Sequence, residues 1–272
     1  MPNYDAQTEA LVREYKLAVE RIKAELDRFD LTDFRRANSM ATLKSISEIL
    51  SALNDESAKW VETNIPIAAR AGVADAIVAL GVVSTVSEAQ QIVKFNRVNA
   101  ELVKAAIADT QADLLAVTQN IDRKVRATVR QVASESMRQN LAQGINGRRT
   151  MNADTLSGLR AKLGDAVNTG IIDASGRRWR PEVYVDMVTR TKMMRITTEA
   201  TINEAVQREA YYGVISSHGA KDLCRNWEGR TVKLVDEAPG DYPYYGNLPN
   251  REIFHPNCKH SISPVRDPER YN

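Results

Sequence analysis

The side chains best suited to bind a metal are confined to one short part of the chain. Of its 272 residues only two are cysteine and three are histidine, and all five lie between residues 218 and 260. Four of them fall in two peptides, DLCRNWEG (222–229) and FHPNCKH (254–260). Together Cys224, His255, Cys258 and His260 offer two sulfur and two nitrogen donors, which suits a closed tetrahedral zinc site. This concentration predicts a C-terminal module with its own chemistry.

The same cluster has a second interpretation that needs no metal. Cys258 is then a buried small apolar residue, and His255 and His260 form hydrogen bonds that clamp the loop. The set lacks a Cys-x-x-Cys pair, and only one residue separates Cys258 from His260, so the spacing alone does not decide for zinc. His218 stands before a glycine with no second donor beside it, and we interpret it as a loop residue.

Five further residues belong to the same two motifs: Trp227, Glu228, Gly229, Pro256 and Asn257. Trp227 is expected to cover a small core, and Gly229 to allow the turn into a strand that begins near residue 230. Glu228 is expected to pair with Arg190 if the preceding helix packs on the module. The alternative is a metal-dependent hydrolase or nuclease in which Glu228 is the general base. The paired catalytic histidines of such nucleases are absent from the sequence.

Residues 1–180 are predicted to form an elongated helical body, because proline is nearly absent and apolar residues recur at three- and four-residue steps. Helices are expected over residues 4–29, 34–53, 55–71 with a kink at Pro66, and 87–95. A short helix is expected between Gly72 and Gly81. Breaks are expected at residues 30–32 and 144–150, and a further helix over 152–169.

The longest predicted helix covers residues 99–143 and is typical of a coiled coil. Its narrow apolar stripe keeps a period near 3.5 residues. The stripe consists of Val103, Ile107, Leu114, Val117, Ile121, Val125, Val129 and Val132. Two interpretations stay open: the seam of a bundle within one chain, or a seam through which the protein self-associates.

The C-terminal half of this helix is basic, which suggests non-specific contact with DNA over residues 123–149 as another alternative function. The basic residues are Arg123, Lys124, Arg126, Arg130, Arg138, Arg148 and Arg149. Basic residues in the last turns of a helix also complement its dipole, and a run of charge is commonly a solvated face. Few aromatic residues accompany these arginines, so stacking platforms for single strands are missing.

The pattern changes near residue 211, which predicts a small α+β module at the C-terminus. A connecting helix over 181–212 is expected to lead into a compact knob over 213–272. Short strands are predicted at 214–217, 230–235 and 261–265, with an irregular proline-rich loop over 236–252. The predicted fold is therefore mostly α, with a helical body (1–180) and a C-terminal module (181–272).

The overall composition restricts the cellular context. The net charge is +2, so the total charge does not require a nucleic-acid partner. The first residues lack the apolar segment of a secretory signal, and charged residues and glycines interrupt the longest apolar stretch, residues 65–83. We therefore expect no membrane segment and reduced cysteines.

The order of motifs at the C-terminus resembles a known family. A helix with YVDMVTRT (184–191) precedes CRNWEGR (224–230), a proline-rich loop, HPNCKH (255–260) and a closing strand. Over residues 180–266 this resembles tailed-phage minor capsid proteins of the Mu F-like head morphogenesis type, in the minor capsid protein 2 branch. Many relatives carry cysteines at the positions of Lys221 and His260, so a shared metal geometry does not follow from the resemblance.

The resemblance implies a structural, non-enzymatic protein of low copy number, located in the virion head near the portal vertex. It implies a role in head assembly or in DNA packaging or delivery. The implied partners are the portal, the major capsid protein and packaged DNA, with assembly in the cytoplasm of the bacterial host.

Overall fold

The computed structural model describes residues 3–28, 36–142, 153–169, 171–172 and 176–271. It is 69% helical, and the described part of the chain contains six helices and five short strands. The helices are α1 (Asp5–Arg28), α2 (Arg36–Ala79), α3 (Val86–Ile92), α4 (Arg97–Ala142), α5 (Ala153–Asn168) and α6 (Pro181–Gln207). The strands are β1 (Ile171–Ile172), β2 (Arg178–Trp179), β3 (Tyr212–Ile215), β4 (Thr231–Lys233) and β5 (Ile262–Val265).

This architecture confirms the predicted fold class, a mostly helical protein with a small C-terminal α+β module. The three strands expected after residue 211 are present as β3, β4 and β5. Within the described ranges, no helix is both long and apolar enough to cross a membrane.

Helix α2 differs from the sequence prediction, because three expected helices form one continuous element. Pro66 lies inside it, and the helix continues past Gly72 to Ala79. Ile65 before Pro66 and Ala69 after it are both completely buried. Their burial outweighs the hydrogen bond that a proline removes from a helix. The chain turns only after the helix, where Gly81 adopts a φ of +69°.

Two other sequence expectations have different outcomes. The sequence predicts no strand before α6, but β1 and β2 form a short antiparallel pair there. Strands of two residues carry too little periodicity to be recognised in a sequence. The expected breaks at residues 30–32 and 144–150 lie outside the described residues.

The chain forms two compact units, each built from separate stretches of sequence. One contains residues 1–8, 61–110 and 187–272, and the other contains residues 9–60 and 111–186. The C-terminal strands therefore share their unit with helical residues from much earlier in the chain. The boundary between residues 180 and 181 stays a prediction about sequence segments.

The apolar stripe of α4 is buried within the unit that contains residues 9–60 and 111–186. Leu114 and Ile121 each expose 1% of their surface. The Tyr15 hydroxyl of α1 lies 3.5 Å from the Leu114 carbonyl oxygen and accepts a hydrogen bond from Ser57 of α2 at 3.3 Å. This part of the stripe is thus the seam of an intramolecular bundle. Self-association through the long helix stays a prediction for the rest of the stripe, where Ile107 is only half-buried.

A close crossing of α2 and α6 organises the unit that contains the C-terminal strands. A methyl group added at Gly72 would lie 2.1 Å from the carbonyl oxygen of Thr197. The Thr201 hydroxyl lies 2.9 Å from the Gly72 carbonyl oxygen, and the Thr197 hydroxyl lies 3.1 Å from that of Ala68. Glycine is required at this point because any side chain would separate the two helices. The crossing fixes α6 before the chain enters the strands.

The C-terminal strands form one antiparallel sheet in the order β4-β3-β5. Ile202 and Ala205 of α6 belong to the same apolar cluster as the buried side chains of this sheet. Cys224 and Cys258 are members of that cluster too. The candidate metal donors are therefore part of the core of the C-terminal module.

The α2–α6 crossing generates a first prediction about stability. Gly72→Ala is expected to lower the free energy of unfolding by about 1–3 kcal/mol, because the added methyl overlaps the Thr197 carbonyl. Gly158→Ala and Gly164→Ala in α5 are matched controls, since a methyl at either position meets nothing within 4 Å. Each control should raise this free energy by about 0.5–1 kcal/mol. Urea denaturation followed by far-ultraviolet circular dichroism measures all three, and equal behaviour would disprove the close crossing.

Candidate functional site

Two loops meet at one end of the C-terminal sheet, and together they carry every cysteine and histidine of the chain. The Ser216 backbone N–H donates to the Ser261 carbonyl oxygen at 2.9 Å. The Ser261 backbone N–H donates to the Ser216 hydroxyl oxygen at 3.0 Å. These bonds continue the pairing of β3 with β5 beyond the strand ends. The register of the sheet therefore brings the loop after β3 against the loop before β5.

The structure brings together the four donors that the sequence singled out. Cys224 Sγ lies 3.1 Å from His255 Nε2 and 3.8 Å from Cys258 Sγ. Cys258 Sγ lies 3.3 Å from His260 Nδ1. Cys224, Cys258 and His260 are buried, with their donor atoms all within 4.8 Å of one another, whereas His255 is partly exposed. His255 joins the group from the side of Cys224.

Asp222 positions Cys224 at the start of the 3₁₀ turn Leu223–Asn226. Its Oδ1 accepts a hydrogen bond from the Cys224 backbone N–H at 3.1 Å, which caps the turn. Both cysteines are free thiols in the buried core. Burial, and next the neighbouring Cys258, raise the pKa of the Cys224 thiol to about 12. Near neutral pH this thiol keeps its proton unless a cation replaces it.

Each of the two clustered histidines has one ring nitrogen against a sulfur and the other against an oxygen acceptor. His255 Nδ1 lies 2.9 Å from the Pro256 carbonyl oxygen, and His260 Nε2 lies 3.2 Å from Glu228 Oε1. These oxygens hold the N–H groups, which leaves His255 Nε2 and His260 Nδ1 with lone pairs aimed at the sulfurs. The arrangement suits metal coordination, and it also suits two S–H···N hydrogen bonds in a metal-free clamp.

The Glu228 carboxylate is held by backbone as well as by His260. Its Oε1 accepts hydrogen bonds from the backbone N–H groups of His218 at 2.8 Å and Ala220 at 3.1 Å. These two bonds, in that order, lower the pKa of Glu228 to about 2. The carboxylate is therefore ionised across the physiological range and is a constant acceptor for His260.

These contacts change two expectations for Glu228. The predicted pairing with Arg190 is wrong: Arg190 donates to Asp5, and the loop amides occupy the carboxylate instead. A general base must accept a proton from a nucleophile or a water near neutral pH. A carboxylate with a pKa of about 2 that already accepts three hydrogen bonds is poorly suited to that role.

Two residues at the site were not predicted as parts of it. Asp222 Oδ2 lies 3.3 Å from His255 Nε2. The His218 ring stacks on His260 with ring centroids 4.2 Å apart, and its Nδ1 lies 3.8 Å from Glu228 Oε1. His218 is therefore not an isolated loop residue. The sequence signal for including His218 in the site was the confinement of all three histidines to one segment. The residues next to His218 in the chain gave no such indication.

The remaining motif residues shape the two loops. Trp227 packs on the core of the module and donates its Nε1–H to Glu252 at 3.0 Å. Gly229 has a φ of +74°, as the turn into β4 requires. Asn257 also has a positive φ, +64°, which asparagine tolerates better than most residues. Backbone geometry, rather than chemistry, accounts for these positions.

The basic residues of α4 differ in exposure, and several of them form hydrogen bonds within the chain, Arg123 to Asn120 and Arg138 to the Ser134 carbonyl oxygen among them. Lys124 donates to the Thr169 carbonyl oxygen at 2.6 Å, and Arg126 pairs with Asp122 at 2.6 Å. Three others are exposed: Arg123, Arg130 and Arg138. Two lie outside the described residues: Arg148 and Arg149. Contact with DNA stays a prediction that depends on the exposed arginines.

The fold and the site together define a mostly helical protein whose small C-terminal module is organised around a Cys/His cluster. The profile of one protein family, phage minor capsid protein 2, matches residues 17–267. The chain belongs to this family and is a minor capsid protein of a phage virion. The match also covers helical residues for which the C-terminal motifs gave no resemblance. No curated protein and no solved structure matches the chain.

The hydrogen bonds of Glu228 generate a second prediction about stability. Glu228→Ala removes the acceptor of two backbone N–H groups and one imidazole, so it should lower the free energy of unfolding. Glu237→Ala is the matched control, because Glu237 is an exposed residue of the same module. Urea denaturation of both variants should show a clear loss for Glu228→Ala and almost none for the control. Similar losses in both would show that the Glu228 contacts contribute little.

Proposed function

We propose that this protein acts at the portal vertex of the phage head, as a low-copy structural component in head assembly and in DNA packaging or delivery. The observation that carries this proposal is the family match over residues 17–267. The order of the C-terminal motifs supports the vertex location, because it resembles head morphogenesis proteins of the Mu F-like type. The portal and the major capsid protein are the proposed partners in the virion, with assembly in the host cytoplasm.

The local chemistry of the Cys/His cluster supports a structural role rather than catalysis. The donor atoms face one another, and the Glu228 carboxylate is occupied by two backbone amides and His260. Such an arrangement holds two loops in place without presenting a free base and nucleophile. A rigid C-terminal module is what a protein needs to present a fixed surface to a partner.

Exposed aliphatic residues indicate where docking is best tested first. Four of them lie within residues 82–98: Val82, Val86, Ile92 and Val98. Each exposes between 44% and 59% of its surface. Several exposed aliphatic residues in one short segment are typical of a protein–protein contact, whereas single ones are common on any surface.

The proposed role predicts binding to the portal. Sedimentation of the purified protein with its portal oligomer should show co-migration at concentrations above ~1 μM, which corresponds to about 8 kcal/mol of binding free energy. Electron microscopy of purified heads should place the protein at a single vertex. Absence of binding well above that concentration, or an even distribution over the shell, would contradict the role.

Matched variants locate the docking surface. The double substitution Val86→Glu with Ile92→Glu should leave the fold intact, since both side chains are exposed, and weaken portal binding at least about tenfold. Leu17→Glu is the control, because Leu17 is 50% exposed and lies outside this segment. If the control loses binding and the double variant keeps it, the docking surface lies elsewhere.

The proposal also predicts no nuclease activity. The purified protein should leave supercoiled plasmid DNA uncut in the presence of magnesium, manganese or zinc, as seen by agarose gel electrophoresis. The physical reason is the low pKa of Glu228, whose Oε1 already accepts three hydrogen bonds. Metal-dependent cutting that is lost in both His255→Ala and Glu228→Ala would establish the enzymatic alternative.

A further inference from the structure

We propose that Cys224, His255, Cys258 and His260 bind one Zn²⁺ ion that joins the loop after β3 to the loop before β5. The proposal goes beyond the role in the phage head and does not depend on it. It rests on the distances among the donors, on the orientation of both imidazole rings, and on the charges around His255.

Three of the distances among the donor atoms are close to those of a tetrahedron around zinc. With Zn–S bonds of about 2.3 Å and Zn–N bonds of about 2.0 Å, tetrahedral angles place two sulfurs ~3.8 Å apart, and a sulfur and a nitrogen ~3.5 Å apart. The two sulfurs are 3.8 Å apart, and the S···N distances are 3.1 and 3.3 Å. Cys224, Cys258 and His260 therefore already form a compact donor set, and His255 completes it by moving from the side of Cys224 towards the other two.

Glu228 supplies the outer contact that a zinc-bound histidine requires. A metal-ligating imidazole normally donates its other N–H to a carboxylate or a backbone carbonyl, which fixes the tautomer and the ring plane. His260 directs Nε2 at the Glu228 carboxylate, and His255 directs Nδ1 at the Pro256 carbonyl. Both ligand nitrogens thereby have their outer hydrogen bond in place before a cation binds.

Electron-rich atoms surround His255 Nε2, an arrangement that suits a bound cation. Its Nε2 faces Cys224 Sγ at 3.1 Å and Asp222 Oδ2 at 3.3 Å. With the ring proton on Nδ1, the Nε2 lone pair points towards a carboxylate, and two electron-rich atoms then repel each other. A divalent ion among these donors converts the repulsion into attraction.

Metal binding conserves the net charge of the cluster. Two thiol protons leave for solvent, two Zn–S bonds and two Zn–N bonds form, and one Zn²⁺ replaces two H⁺.

A cleft of about 420 Å³, lined in part by His255, Cys258 and His260, reaches the donors from the surface. An ion can therefore enter the folded module, as a reversible site requires.

Metal content and cobalt substitution test the site directly. The full-length protein, purified without a histidine tag or chelator, should contain about one zinc per chain by inductively coupled plasma mass spectrometry. Replacing zinc with cobalt(II) should give the intense visible bands of tetrahedral coordination together with sulfur-to-cobalt charge transfer. Both thiols should resist alkylation with zinc bound and react after chelation.

Variants identify the ligands. Cys224→Ser and Cys258→Ser should each remove the metal, and Glu228→Gln should weaken zinc binding about 10–100-fold while the protein stays folded. His218→Ala is the matched control, because His218 stacks on His260 but is outside the proposed ligand set. It should keep one zinc, and loss of zinc in this variant alone would move the site to the group of His218, Glu228 and His260.

Three outcomes would overturn the proposal. One is protein that contains no zinc and takes up none. Another is zinc content unchanged in both cysteine variants, which would identify an adventitious ion. The third is a cobalt spectrum without sulfur charge transfer. Should a cysteine variant fail to fold, the cobalt spectrum and the alkylation of the unmodified protein decide the question alone.

Discussion

The C-terminal module depends on the contact between its two long loops, because its regular structure alone is too small to hold them. Its sheet has three strands of three or four residues each. The connections on either side of β4, residues 216–230 and 234–261, are much longer than these strands. Cys224 and Cys258 lie in the core cluster and also at the loop contact. The same two side chains therefore complete the core and hold the loops together.

The position of this module is set by the helix that precedes it. Helix α6 approaches α2 closely because Gly72 has no side chain. At this short distance, threonine hydroxyls of α6 donate hydrogen bonds to backbone carbonyl oxygens of α2. Ile202 and Ala205, near the end of α6, then enter the core of the module. Each of these features depends on the one before it. One glycine permits the crossing, the crossing fixes α6, and α6 supplies part of the core around the cysteines.

The sequence predicted the helices and the late strands well, because both depend on periodic burial that a single chain displays. It predicted the four donors because their residue types are rare and confined to one segment. It failed where tertiary packing outweighs local signals: Gly72 suggested a helix end, but the buried surface of α2 keeps the helix continuous. It also predicted that Glu228 pairs with Arg190. The actual donors to Glu228 include the backbone N–H groups of residues 218 and 220, and such contacts cannot be recognised in a sequence. Such contacts exist only once a loop has its fold.

The hydrogen bonds of the cluster are compatible with both protons and zinc, so the fold need not change when one replaces the other. The difference between the two states is then a difference in stability. An ion that binds only the folded module stabilises it by RT ln(1 + [L]/Kd), about 4 kcal/mol at a thousandfold excess over Kd. That is a large part of the stability of an ordinary domain. A minor capsid protein must keep its surface intact while it joins a much larger assembly. A metal-linked pair of loops would therefore make the module less sensitive to local opening where the two loops meet.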